Sequence, residues 1–79
     1  MAYLRWSYSN WYVYWTFNGK DVVQVWHVDG ADAEYDFNSD IDKFIKQEFN
    51  NVSKEDKEEL KEALIEANED YNEQKKEDK

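Results

Sequence analysis

The side chains best equipped for chemistry are a single histidine, His27, and carboxylates that outnumber the bases by 19 to 10. A two-residue turn at Asp29-Gly30 sets His27 opposite Asp32, and a His–Asp pair is the arrangement that orients an imidazole as a general base. A hydrolytic site also needs a nucleophile, and Ser7 lies two strands away. The expectation is a cross-strand pair on a solvated face, with no catalytic residue. Asp29, Asp32, Glu34 and Asp36 offer oxygen ligands, but Asp29-Gly30-Ala31-Asp32 lacks the spacing of a calcium loop. Strand alternation sets Asp32, Glu34 and Asp36 in a row, without convergence on a point. No metal site follows; an acidic row that guards an edge strand does. Gly19 and Gly30 stand too far apart for a phosphate loop, and no cofactor is implied.

Two surfaces remain as candidates for binding. Tyr3, Arg5, Tyr12 and Tyr14 share one strand face, and Tyr and Arg are typical interface anchors. Their outline resembles a sheet that stacks RNA bases, but residues 1–37 carry two basic and five acidic side chains, which opposes contact with phosphates. The second surface is acidic. Glu59, Glu62, Glu66, Glu69 and Asp70 follow one another along the last helix, and no base intervenes between Lys61 and Lys75. Such a face confers solubility; it also imitates a row of phosphates and suits a basic groove on another protein.

The elements that must carry these residues follow from composition and pattern. The 79 residues make one domain, near the size at which a single core just suffices. No cysteine is present, which removes disulfides, thiol nucleophiles and zinc–cysteine sites and fits a cytosolic protein. The N-terminus lacks the layout of a signal peptide, and no apolar run approaches a membrane span. A net charge of −9 argues against direct nucleic-acid or anionic-membrane binding.

Residues 1–37 read as an antiparallel sheet and residues 38–72 as two helices, with 73–79 a frayed tail. Eleven of the 14 aromatics precede Asn38. Strand-like runs at Tyr3–Tyr8, Trp11–Phe17, Lys20–Val28 and Ala31–Phe37 are separated by Ser9-Asn10, Asn18-Gly19 and Asp29-Gly30, the last two being signals for two-residue type I′ turns. With two-residue turns throughout, Leu4, Trp6, Tyr8, Trp11, Val13, Trp15, Phe17, Val22, Trp26, Val28, Ala33, Tyr35 and Phe37 share one face, broken by Lys20 and Gln24. Asn38 or Ser39 caps a helix from about Asp40 to Phe49, with the stripe Ile41, Phe44, Ile45 and Phe49. Ser53, with Asp56 three residues later, starts a second helix with the stripe Leu60, Ala63, Leu64, Ala67 and Tyr71. The expected fold is α+β: a four-stranded antiparallel meander with two C-terminal helices on one face.

The compact acidic chain, its aromatic opening Trp11-Tyr12-Val13-Tyr14-Trp15, the meander and the acidic helix together resemble small phage-encoded anti-CRISPR proteins. The resemblance covers the whole chain and is one of size, charge and layout. It implies a non-enzymatic inhibitor in the cytoplasm of a bacterial host, binding a CRISPR–Cas or other defence complex as a DNA mimic. The partner-binding candidates are then Asp32, Glu34, Asp36, Glu59, Glu62, Glu66, Glu69 and Asp70. The alternative is an interaction or homodimer surface built on Tyr12 and Tyr14, with the acidic helix serving solubility.

Overall fold

The computed structural model describes residues 3–16 and 21–77. Four strands form an antiparallel meander in the order β1-β2-β3-β4: β1 (Tyr3–Ser7), β2 (Trp11–Thr16), β3 (Val22–His27) and β4 (Asp32–Asp36). Helices α1 (Ile41–Glu48) and α2 (Lys54–Glu77) follow. The fold is therefore the α+β layout that the segregation of aromatic and charged halves predicts.

The β1–β2 register agrees with the two-residue turn at Ser9-Asn10, with Leu4 opposite Trp15 and Trp6 opposite Val13. Tyr8 and Trp11 close that turn through paired backbone bonds of 3.1 and 3.4 Å. Among the described residues Asn38 is the one non-glycine with positive φ, so the turn is not type I′. Asn18-Gly19 lies outside the described residues.

Strand β3 departs from expectation by one residue against both neighbours. Val13 lies opposite Val25, not Gln24, and Tyr12 opposite Trp26; Val25 lies opposite Ala33 and Trp26 opposite Asp32. Against β4 the cause is visible at the β3–β4 turn. His27 N–H donates to Ala31 C=O at 2.8 Å and Gly30 N–H to His27 C=O at 2.9 Å. This encloses a loop of Val28, Asp29 and Gly30, with Gly30 at φ 104° and the Asp29 carboxylate accepting the Ala31 N–H. A left-handed residue at the third loop position is the G1-bulge form of hairpin, and it adds one residue over a type I′ turn. The face of β3 is thereby reversed. Val23, Val25 and His27 point into the core, while Trp26 and Val28 are 52% and 70% exposed. Burying Gln24, as the two-residue register requires, costs about 1–3 kcal/mol unless its amide finds a partner. In the observed register Gln24 Nε2 donates to Glu34 at 2.7 Å on the outer face.

Both helices cover the inner face. Asp40 is the N-cap of α1, its carboxylate accepting Lys43 N–H. The expected caps are committed elsewhere: Asn38 takes the left-handed position of the preceding turn at φ 66°, and the Ser39 hydroxyl donates to Asp36 C=O. Ser53 caps α2 by accepting Asp56 N–H at 3.2 Å. The stripe Leu60, Ala63, Leu64, Ala67 and Tyr71 is fully committed to the core beside Trp6, Trp11 and Trp15. Tyr71 stacks on Phe37 at 4.0 Å with ring planes 5° apart, and Trp15 meets both edge-on. The helix runs on to Glu77, past Asn72, where the apolar pattern stops. At that point Asn72 and Asn38 exchange side-chain amide bonds of 3.0 and 3.1 Å, which hold the last turns against the β4–α1 junction.

Candidate functional site

The helices leave the other face of the sheet uncovered. Cross-strand register orders that face into rows. Ser7, Tyr12, Trp26 and Asp32 form one row across the sheet; Arg5, Tyr14, Gln24 and Glu34 form the next. Polarity therefore changes in steps from Arg5 on β1, through aromatic rings on β2 and β3, to carboxylates on β4. Tyr12 and Tyr14 lie 5.3 Å apart between ring centroids, and the Arg5 guanidinium sits 5.9 Å above the Tyr12 ring, within cation–π range. Tyr12, Tyr14, Gln24, Trp26 and Asp32 line a groove of about 490 Å³. An apolar depression of about 470 Å³ adjoins it, bounded by Trp11, Tyr12, Trp26, His27 and Val28.

The acidic candidates do not converge. Asp32, Glu34 and Asp36 are exposed on the outer face of β4. The helix carboxylates lie against the opposite edge and on the inner layer: Asp70 accepts the Trp6 indole N–H at 2.8 Å, and the Ser9 hydroxyl donates to Glu59 at 3.4 Å. Glu62, Glu66 and Glu69 are exposed. Burial, then Glu66, Glu62 and Glu59, hold the Tyr8 hydroxyl above its ordinary pKa, and the Ser9–Glu59 bond sets Glu59 against the β1–β2 turn. Asp70 and Glu59 thus serve packing, and the β4 row and the helix row cannot touch one flat surface together.

His27 is not opposite Asp32. It lies on the inner face, 7% exposed, with Nε2 2.9 Å from Asp56 and Nδ1 3.0 Å from Asp29. Its ring is tilted on Trp11 at 4.5 Å. Burial pulls its pKa down, but the hydrogen bonds to Asp56 and Asp29 and their charges outweigh this, so the net shift is upward. Asp56 is held below the usual carboxylate range by Asn10 and then His27, and Asp29 by the Ala31 N–H and then His27. Asn10 Nδ2 donates to Asp56 at 2.8 Å, and the Trp11 indole donates to the Asp56 carbonyl at 2.8 Å. Asn10 of the β1–β2 turn, Trp11 of β2 and His27 of β3 thus clasp the first turn of α2, with Asp29 holding the far side of the imidazole. The arrangement is a structural clasp: both imidazole nitrogens are engaged by carboxylates.

Among the described residues no group of three or more His, Cys, Asp or Glu side chains is arranged to hold a metal ion, and no helix is long and apolar enough to cross a membrane. Trp26 is the functional candidate missed by sequence reasoning. Gln24 carries the signal, because it breaks the apolar rule of the face on which two-residue turns would put Trp26.

No protein-family model matches the chain, and comparison with curated proteins and with solved structures likewise finds no match.

Proposed function

We propose that the chain is a non-enzymatic binding module that occupies a basic surface of another protein, with the outer face of its sheet as the contact. The observation that carries this reading is the exposed Trp26 beside Tyr12 and Tyr14, flanked by Asp32, Glu34 and Asp36. Solvent-facing Trp and Tyr at the centre of a patch with a charged rim is the composition of an interaction hot spot. A net charge of −9 favours a basic partner over a second copy of the chain. Inhibition of a bacterial defence complex, in the manner of the anti-CRISPR proteins it resembles, is the setting this reading suits: such complexes present basic nucleic-acid channels.

The helix supports a second reading, phosphate mimicry by Glu62, Glu66 and Glu69. All three are exposed and lie within a stretch of α2 free of bases. One experiment separates the two. Cells with active CRISPR–Cas immunity express the wild type, Trp26→Ser, Tyr12→Ala/Tyr14→Ala, or Glu62→Lys/Glu66→Lys/Glu69→Lys, and phage plaquing is counted. The sheet reading expects restored plaquing with the wild type and the helix variant only. The mimic reading expects the helix variant alone to fail, with binding that weakens steeply with salt. No plaquing with the wild type removes the counter-defence setting.

A further inference from the structure

We propose that the groove between Tyr12, Tyr14 and Trp26 is a receptor for an arginine side chain of the partner, with Asp32 as its counter-ion. The proposal rests on the sheet-face reading above and names the chemistry that the face recognises. Three observations carry it. The groove is walled by aromatic rings from adjacent strands, Tyr12 standing opposite Trp26, and it is closed at its β4 side by a carboxylate, Asp32 standing opposite Trp26. Ring faces attract a cation, and a carboxylate at the end of the slot supplies the charge and the acceptors for a guanidinium fork. The same face already displays the mode toward β1, where the guanidinium of Arg5 lies over Tyr12. Finally, the neighbouring carboxylate is tied back: Gln24 holds Glu34 at 2.7 Å, which leaves Asp32 as the acid facing the slot. A planar guanidinium stacks on a ring face and bonds a carboxylate in bidentate fashion; an ammonium pairs with the carboxylate only as a point charge. The site is therefore selective for arginine over lysine.

The test uses the full ¹⁵N-labelled chain and three short probe peptides, acetyl-Gly-Xaa-Gly-amide with arginine, lysine or citrulline at the centre. Citrulline keeps the shape and removes the charge. The arginine peptide is expected to shift the Trp26 indole N–H and the amides of Tyr12, Trp26 and Asp32 in a saturable way. Lysine should bind several-fold more weakly and citrulline about tenfold more weakly. Trp26→Leu, at an exposed position, should abolish the response with an unchanged far-ultraviolet circular dichroism spectrum, and Asp32→Asn should weaken it about tenfold. An equal response to citrulline, shifts confined to the amides of α2, or full binding by Trp26→Leu each overturns the proposal. If the arginine peptide fails while Trp26→Ser still loses plaquing activity, the sheet face stands as the contact and the arginine assignment falls. If the arginine peptide fails and Trp26→Ser keeps full plaquing activity, both fall.

Discussion

His27 shows how one side chain joins distant parts of this molecule. Its imidazole reaches Asp29 in the adjoining turn and Asp56 in the first turn of α2, and only the protonated ring can donate to both. The raised folded value means that its contribution is complete below the ordinary histidine pKa of about 6.5 and is lost as pH rises through the folded value. Asp29 and Asp56 behave oppositely: their depressed values give stability that is present above about pH 4 and lost as pH falls through the folded values. Stability to urea should therefore peak between about pH 4 and 6.5 and decline toward pH 8.5. His27 is the sole histidine and cysteine is absent, so apart from the α-amino group it alone titrates there; His27→Gln should flatten the alkaline slope. A flat wild-type profile would contradict the clasp. The tryptophans differ just as sharply. Trp11 is buried against Phe49 and bonded to Asp56, so Trp11→Ala should cost about 3–5 kcal/mol. Trp26→Ser should change stability by less than about 1 kcal/mol. Denaturation midpoints measure both.

Turns set the orientation of the elements. Both sides of β3 are apolar: Val23 and Val25 compete with Val22, Trp26 and Val28 for the core. Alternation alone does not choose between them, and a shift of one residue exchanges the faces. Against β4 the choice falls to the loop Val28-Asp29-Gly30, whose last residue holds φ at 104°. A Cβ at Gly30 would meet nothing within 4 Å, so Gly30→Ala is penalised by backbone strain alone. It should destabilise by about 1 kcal/mol, and Gly30→Asn by less, since Asn tolerates the left-handed region. The helices carry less ambiguity. Their apolar residues recur at helical spacing on one side, Ile65 of α2 being the exposed exception, and the periodicity of α2 marks each of its buried residues from Leu60 to Tyr71. The cap of α1 is ambiguous in the sequence, because Asn38, Ser39 and Asp40 are all good N-caps; Asp40 takes the role once Asn38 is spent on the turn.

At the scale of the whole molecule the acids are distributed around the fold. The meander order places β1 and β4 at opposite edges, so the β4 row and the α2 row face different directions and each answers to a separate test. Mutual repulsion among charges totalling −9 is relieved by screening. Stability should therefore rise between low and moderate salt. Reversing Glu62, Glu66 and Glu69 to lysine brings the charge from −9 to −3, and the salt response should shrink accordingly. A salt-independent wild type would show that the acids are already too far apart to matter. Sequence alone determined the class of fold, the two apolar helix stripes and the register of β1 on β2, because each rests on a local period or a local turn. Only the tertiary structure decided which face of β3 enters the core. That choice couples His27, at the base of a three-residue turn, to an aspartate 29 positions away, and periodicity carries no information across such a separation. The same decision moved His27 from the surface to the interior and Trp26 from the interior to the surface, and so moved the candidate binding site to the uncovered face of the sheet.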